Sequence, residues 1–164
     1  MRILGIDPGT LVVGYGLIDG QDDDITFVAC SALTCNQRSP LAERLCYLYH
    51  ELEEVIAGYR PDAVAIESPF VARNVRSALA IGKAQAVSIL AAANRGLPTY
   101  EYSPAQVKRV VTDYGASTKQ QVQEMVRLQL GLSQPPQPVD ASDALAVAIC
   151  HLREMKLKSL MAER

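Results

Sequence analysis

The chain has 164 residues, of which 49% are apolar and 21% are charged, and its formal net charge is −2. This length and composition exclude a disordered chain and are typical of one globular domain that needs no disulfide or structural metal. The most apolar stretch, residues 84–93, is far shorter than the ~20 residues of a bilayer span, and the N-terminus turns acidic at Asp7, too early for a signal peptide. We therefore expect a cytoplasmic protein whose four cysteines are reduced thiols.

Charge is distributed unevenly along the chain. Residues 1–69 contain 4 basic and 11 acidic side chains, whereas residues 70–128 contain 8 basic and 3 acidic ones. A basic segment within an acidic protein can form a phosphate-binding face. It can equally be a solvated helical surface, and charge alone does not separate the two.

The first part of the chain predicts three strands and a helix. Short apolar runs broken by turn residues indicate two successive hairpins, with strands over residues 2–7, 12–18 and 25–31. Pro40 is expected at the first helical position, and apolar residues then recur at steps of four and three up to Tyr59. Gly58 and Pro61 are expected to end this helix.

The remaining chain alternates strands with helices. We expect a buried strand over 62–67, a helix over 74–94 and a strand over 97–102. Capping boxes at residues 103–106 and 117–120 predict two short helices, and a final helix is expected from about Asp140 through Cys150. The order predicts an α/β fold, a five-stranded mixed sheet with helices on both faces. No linker is evident, so we predict one domain over 1–156 and a frayed tail over 157–164.

Four acidic residues fall at the ends of predicted elements. Asp7 ends the first strand and Glu67 ends the fourth, so both would leave the same edge of the sheet if these strands are parallel neighbours. Asp140 and Asp143 are three residues apart at the start of a helix and share one of its faces. The sequence therefore predicts a cluster of four carboxylates.

Such a cluster requires a counter-charge, because two carboxylates about 4 Å apart repel by about 4 kcal/mol at an effective dielectric of about 20. Oxygen ligands suit Mg²⁺ or Mn²⁺, and two such ions can act on a phosphodiester.

Each of the four acids also has an ordinary structural explanation. Asp7 could begin a Pro-Gly turn, and Glu67 could be solvated at the end of its strand. Asp140 could be an ordinary helix N-cap, and Asp143 could be stabilised by the helix dipole.

With these residues in place, the chain resembles the RuvC family of Holliday-junction resolvases over most of its length. The resemblance rests on the order and spacing of several motifs: Ile3-Leu4-Gly5-Ile6-Asp7-Pro8-Gly9, Gly14-Tyr15-Gly16, Ala65-Ile66-Glu67 with Phe70, Ser77-Ala78-Leu79-Ala80-Ile81-Gly82, Gln106-Val107-Lys108 and Asp140-Ala141-Ser142-Asp143-Ala144-Leu145-Ala146.

The resemblance implies an RNase H-like fold and a homodimer that cuts two strands of a four-way DNA junction in recombination and repair. The family's catalytic acids align on Asp7, Glu67, Asp140 and Asp143, with Asp140 at the most variable position. It further implies two Mg²⁺ per subunit, with Mn²⁺ as a substitute. One ion would be held by Asp7 with Asp140 and Asp143, the other by Asp7 with Glu67. A branch-migration motor complex, RuvA–RuvB, is the expected partner.

The same resemblance assigns DNA contacts. Lys119 matches the family's functionally important lysine and is expected to stabilise charge on the scissile phosphate, and Lys108 is expected to contact a backbone phosphate. Phe70 matches an aromatic that stacks on a junction base, although it could instead pack against the next helix. Lesser candidates, which could equally be solvated surface charges, are Arg73, Arg76, Lys83 and Arg127.

The helix over 74–94 is more apolar than one sheet face can bury. Its apolar positions include Leu79, Ile81, Ala84, Ile89, Leu90 and Ala93. A two-fold dimer interface would cover the surplus, and a helix sandwiched within one domain is the alternative.

Three other functions are compatible with parts of the sequence. Residues 6–10 resemble the phosphate loop of actin-like ATPases, but those proteins duplicate this core and 164 residues leave no room for two copies. A catalytically inactive junction-binding module would be expected to lose acids that this chain keeps. Another RNase H-like nuclease would differ in its substrate.

Overall fold

The structure is a computed structural model that describes residues 1–21, 24–68 and 75–162. Within these ranges five strands form one sheet in the order β3-β2-β1-β4-β5, with β1 Arg2–Asp7, β2 Val12–Gln21, β3 Asp24–Thr34, β4 Ala63–Glu67 and β5 Thr99–Tyr102. The helices are α1 Leu41–Tyr59, α2 Val75–Asn94, α3 Pro104–Thr112, α4 Lys119–Gln129 and α5 Val139–Ala162.

The sheet is mixed, as predicted. The two hairpins make β1, β2 and β3 antiparallel, while β4 and β5 run parallel to β1. In the β1–β4 pair Ile6 lies opposite Ile66, so the residues that follow them, Asp7 and Glu67, leave the sheet at the same edge. The parallel-neighbour condition on which the carboxylate cluster depends is therefore met.

Helices cover both faces of this sheet. One apolar cluster joins the sheet to α1 and α2, and it includes Leu4, Ile6, Ile66, Leu48, Leu52, Ala91 and Ala92. The other joins it to α3, α4 and α5, and it includes Ile3, Ala65, Tyr102, Val107, Val126, Leu145 and Ile149. Because strand side chains alternate between faces, successive residues of β1 and β4 contribute to the two clusters in turn.

The helix boundaries differ from the predictions at the start of α1, at the start of α4 and at the end of α5. Pro40 is the N-cap of α1 instead of its first helical residue. The helix ends at Tyr59, and the next residue, Arg60, adopts the left-handed conformation. The first predicted capping box is confirmed, since Ser103 caps α3 and pairs reciprocally with Gln106.

The second capping box lies one residue later than predicted. Thr118 and Gln121 form it, in place of Ser117 and Gln120. The hydroxyl of Ser117 donates instead to the carbonyl of Tyr114 at 2.7 Å, within the turn that precedes the helix. That turn satisfies Ser117 locally and leaves the capping position to its neighbour.

The final helix, α5, is longer than predicted. It continues past Cys150 to Ala162, and its first turns are buried from Ala141 to His151. Beyond that point it is held partly by Arg153, whose Nη1 donates to the carbonyl of Val110 at 2.8 Å. The fraying predicted for residues 157–164 stays a prediction.

Within the described ranges, α2 is the one helix long and apolar enough to cross a membrane by length and composition. The length of α2 differs from the expectation drawn from residues 84–93 alone, which are too few to span a bilayer. One such helix is weak evidence for a membrane span, because the core helix of a soluble protein passes the same test. Ala84, Ala91 and Ala92 of α2 are buried in the protein, so part of its apolar surface belongs to the core.

His151 of α5 is fully buried and faces β5. Its Nδ1 is 2.7 Å from the hydroxyl of Tyr102, and its ring stacks at 4.3 Å from that of Tyr100. The Nε2 atom is buried without a hydrogen-bond partner among the described residues. Burial first, and the charge of Lys158 second, lower the pKa of His151 to about 4.

This pKa predicts a loss of stability in acid. Unfolded His151 titrates near 6.5, so between about pH 6.5 and pH 4 the unfolded state binds more protons than the native state, and stability falls as pH falls. We expect a loss of about 2 kcal/mol in the free energy of unfolding between pH 8 and pH 5 from this group. Urea titrations of wild type and His151→Gln at both pH values measure it, and an equal loss in the variant contradicts the assignment.

Candidate active site

The four predicted acids converge on one edge of the sheet. Asp7 ends β1 and Glu67 ends β4, and the alternation that sends Ile6 and Ile66 towards α1 and α2 turns these two carboxylates towards α5. Asp140 and Asp143 lie in the first turns of α5, which crosses that face.

Glycines in β1 and β2 allow α5 to approach the sheet at backbone distance. A Cβ on Gly5 would lie 2.0 Å from the carbonyl oxygen of Ala144, and one on Gly14 would lie 2.0 Å from that of Asp140. Gly14 is also the register partner of Asp7. These contacts set the N-terminal turns of α5 directly over the end of β1.

Sequence reasoning missed this role of the glycines, although the motif Gly14-Tyr15-Gly16 contributes to the family resemblance. The signal that could have revealed this role is the placement of glycines inside the predicted strands. A glycine within a strand often marks the close approach of another backbone, and Gly5 and Gly16 face each other across the β1–β2 ladder.

The carboxylates are desolvated and repel one another. Burial, followed by the charges of Glu67, Asp143 and Asp140, raises the pKa of Asp7 to about 8. Burial and the charge of Asp143 raise the pKa of Glu67 to about 7, against an opposing hydrogen bond with Asp7. Burial also raises the pKa of Asp143. The site therefore favours either protons or cations among these oxygens.

One cation is already in place. The Nζ of Lys119, the first residue of α4, is 2.6 Å from Oδ2 of Asp143. Partial burial lowers the pKa of Lys119, but the hydrogen bond to Asp143 and the charges of Asp7 and Asp140 outweigh this effect and leave the pKa raised. Lys119 therefore stays charged at neutral pH.

A cavity of about 180 Å³ opens beside the acids. Its polar wall is formed by Glu67, Lys108, Lys119 and Asp143, and apolar residues of α3, α4 and α5 close its other side. The charge of Lys108 lowers the pKa of both Glu67 and Asp143. The cavity thus combines carboxylates with two lysines, as expected for a site that takes a phosphate and its counter-ions.

The carboxylates fit a divalent metal by their chemistry, since hard oxygen donors in a desolvated cluster need positive charge. Over residues 1–21, 24–68 and 75–162, however, no group of three or more His, Cys, Asp or Glu side chains is arranged to hold a metal ion. The ion pair between Lys119 and Asp143 already engages one of these carboxylates. A metal ion that took Asp143 as a ligand would therefore have to displace this ammonium group.

The other predicted DNA contacts are placed unevenly. Arg76 and Lys83 lie exposed on α2. Arg127 is engaged within the protein, because its guanidinium pairs with Glu124 at 2.6 Å and donates to the carbonyl of Leu132 at 3.0 Å. Phe70 and Arg73 lie outside the described residues.

Comparison with known proteins identifies the family. The family model described as "Crossover junction endodeoxyribonuclease RuvC" matches residues 3–151. A protein of that description from Dehalococcoides mccartyi is 56% identical over 163 residues, which cover 99% of this chain and 98% of its relative. Another from Desulfitobacterium hafniense is 47% identical over 161 residues, 98% of both chains.

A solved structure agrees with this assignment. The Thermus thermophilus RuvC in complex with Holliday junction substrate superimposes with a TM-score of 0.90 at 32% identity, covering 96% of both chains. The five-stranded mixed sheet with helices on both faces is accordingly the RNase H-like fold expected from the sequence. Sequence and structure agree that the chain belongs to the RuvC family of crossover junction endodeoxyribonucleases.

Proposed function

We propose that this chain is an endodeoxyribonuclease that resolves four-way DNA junctions by cutting phosphodiesters in two strands, in recombination and repair in the cytoplasm. The observation that carries the proposal is the meeting of Asp7, Glu67 and Asp143, all with raised pKa values, beside the ammonium of Lys119. Family membership over nearly the whole chain favours this function over an ATPase-like one.

Asp7, Glu67, Asp140 and Asp143 are the residues proposed to hold two Mg²⁺ ions, for which Mn²⁺ would substitute. Divalent ions bound there would polarise the phosphodiester and lower the pKa of the attacking water. Lys119, which would leave Asp143 if that carboxylate held a metal ion, is proposed to pair with the scissile phosphate. Lys108 is proposed to hold a neighbouring phosphate across the cavity. Phe70, Arg73, Arg76 and Lys83 are proposed as further DNA contacts.

A direct experiment tests this function. A synthetic four-way junction and a linear duplex of the same sequence are incubated with the protein and Mg²⁺, and the nicks are mapped at nucleotide resolution. We expect paired nicks in opposing strands of the junction and no cutting of the duplex. Equal cutting of both substrates would show another kind of nuclease, and no cutting of either would refute the proposal.

Substitution of Lys119 tests its role at the phosphate. Lys119→Ala should lower the rate of cutting at saturating junction by roughly 10²-fold, because a cation aimed at the developing charge is lost. The affinity for the junction should change little. Single-turnover rates measure the effect, with Lys158→Ala as a control that removes one exposed lysine near the end of α5. An unchanged rate in Lys119→Ala contradicts the assignment.

A homodimer is proposed on the outward face of α2. Leu79 and Leu90 are 64% and 52% exposed, and with Val75 they form an apolar stripe at helical spacing. Of the other positions expected to face a partner, Ala93 is exposed, Ile81 and Ile89 are half-buried, and Ala84 belongs to the core. An interface there would place two identical sites on a substrate with two equivalent strands. The RuvA–RuvB motor is proposed as a further partner by resemblance.

The double substitution Leu79→Asp/Leu90→Asp should convert the dimer to a monomer, because it places charges in the proposed apolar contact. Light scattering at several concentrations measures the mass. Leu128→Asp provides a matched control, since Leu128 is 54% exposed on α4, a different helix from the one that carries the stripe. A dimer that survives the double substitution would place the interface elsewhere.

A further inference from the structure

A cluster of polar contacts lies behind the active site, on the face of the sheet that α1 and α2 cover. Nε2 of Gln85 in α2 donates to Oε2 of Glu101 in β5 at 2.7 Å and to Oγ of Ser68 at 3.3 Å. Oγ of Ser68 donates to the same Glu101 oxygen at 3.2 Å. We call this closed triangle of Ser68, Gln85 and Glu101 the polar clamp.

The polar clamp adjoins a catalytic acid through the backbone. Ser68 directly follows Glu67, and its N–H donates to the carbonyl of Tyr102 at 2.8 Å. Glu67 is itself the register partner of Tyr102. The alternation along the strand turns Glu67 towards α5 and Ser68 towards α2. The residue after Glu67 is therefore fixed twice, by β5 through its backbone and by the polar clamp through its side chain.

Burial makes the amide of Gln85 informative. The other buried residues of α2 are small, whereas Gln85 is a long polar side chain with 9% exposure. A buried amide is unfavourable unless it is hydrogen-bonded, so packing alone would be served by an apolar residue. The two hydrogen bonds that Gln85 makes to other described residues reach the ends of β4 and β5, which points to a role at that edge of the sheet.

We propose that Gln85 and Glu101 are positioning residues for Glu67, and that the polar clamp couples α2 to the active site. The inference rests on the proposed function, since it concerns where Glu67 holds its carboxylate during cutting. The outward face of α2 carries Leu79 and Leu90, and its inward face carries Gln85. A shift of α2 when two subunits associate would reach Glu67 through one side chain and one peptide unit.

An exchange of donor and acceptor tests the proposal. Gln85→Glu is nearly isosteric but sets a second carboxylate against Glu101, so the clamp opens. The double variant Gln85→Glu/Glu101→Gln restores the hydrogen bond with its direction reversed. At saturating junction and Mg²⁺ we expect Gln85→Glu to lower kcat about tenfold through misplacement of Glu67. The double variant should recover to within about twofold of wild type.

Affinity and stability separate positioning from general damage. Junction affinity without divalent ions should stay close to wild type in both variants. The repulsion between neighbouring carboxylates should lower the Tm of Gln85→Glu, and the double variant should return it to that of wild type. Asn94→Ala is the matched control, because it removes another polar contact of α2, the 2.6 Å bond from Asn94 to the Tyr49 hydroxyl, without touching β4. Its kcat should equal that of wild type.

The possible results are distinct. A wild-type kcat in Gln85→Glu overturns the proposal, as does a double variant with wild-type Tm whose kcat does not recover. Should Gln85→Glu fail to fold, Gln85→Met keeps the length of the side chain without its hydrogen bonds, and a lowered kcat at unchanged Tm supports the proposal, whereas an unchanged kcat overturns it. Failure of the proposed function looks different, since wild type itself would then leave the junction uncut.

Discussion

Replacing Asp7 by Asn should abolish junction cutting while leaving junction binding nearly intact. Asp7 is the acid on which the charges of Glu67, Asp140 and Asp143 all act, so it lies at the centre of the cluster. Its loss removes a ligand proposed for both metal ions, and we expect the rate to fall by about 10³-fold or more. Binding should persist because the proposed phosphate contacts come from basic residues outside the cluster. Gel-shift affinity and single-turnover cutting on the same junction measure the two effects.

The same variant should be more stable than wild type when no divalent ion is present. The pKa of Asp7 is about 8 in the fold and near 3.8 in the unfolded chain. Between these values the native state binds more protons, so stability falls as pH rises from about 4 to 8, and above pH 8 the full penalty remains. Removing this carboxylate should stabilise the protein at pH 8 by about 1–2 kcal/mol.

Mg²⁺ should then act differently on the two proteins. It should raise the Tm of wild type, because a ligand that binds the native state stabilises it, and it should leave the Tm of Asp7→Asn nearly unchanged. This readout does not depend on cutting. A variant that cuts at the wild-type rate, or a wild-type Tm that ignores both Mg²⁺ and Mn²⁺, would refute the assignment of Asp7 to a metal site.

The positions of Asp7 and Glu67 could be predicted because each depends on a local pattern. A short apolar run that ends in an acid predicts a buried strand with a carboxylate at its end, and the strand order β1-β4 then brings the two acids together. Asp140 and Asp143 follow similarly from helix spacing. Their roles as a set came from the resemblance, since each acid alone also has an ordinary structural explanation.

Contacts between residues distant in sequence could not be predicted from such patterns. The ion pair between Lys119 and Asp143 depends on how α4 packs against α5, and the contact of Gln85 with Glu101 depends on how α2 lies across β5. The length of α5 was missed for another reason. Its last turns are exposed and lack a buried stripe, but they contain good helix formers such as Leu157 and Lys158, which extend an existing helix without burial.

Gly14→Ala should damage both stability and activity, because one methyl group would force α5 away from the sheet. Its Cβ would lie 2.0 Å from the carbonyl oxygen of Asp140 and 2.3 Å from the carbonyl carbon, and neither backbone atom can rotate aside. Overpacking of this kind typically costs about 1–3 kcal/mol. We expect that loss in the free energy of unfolding, together with at least a roughly tenfold fall in cutting rate as Asp140 and Asp143 move away from Asp7.

Gly58→Ala is the matched control for this substitution. Gly58 lies in the last turn of α1, and an added Cβ there would meet no atom within 4 Å. Alanine favours the helix over glycine by about 0.5–1 kcal/mol, so this variant should be more stable and should cut at the wild-type rate. Urea unfolding and single-turnover cutting of both variants decide the matter. If Gly14→Ala folded and cut like Gly58→Ala, the close approach of α5 to β2 would not be what holds Asp140 and Asp143 over Asp7.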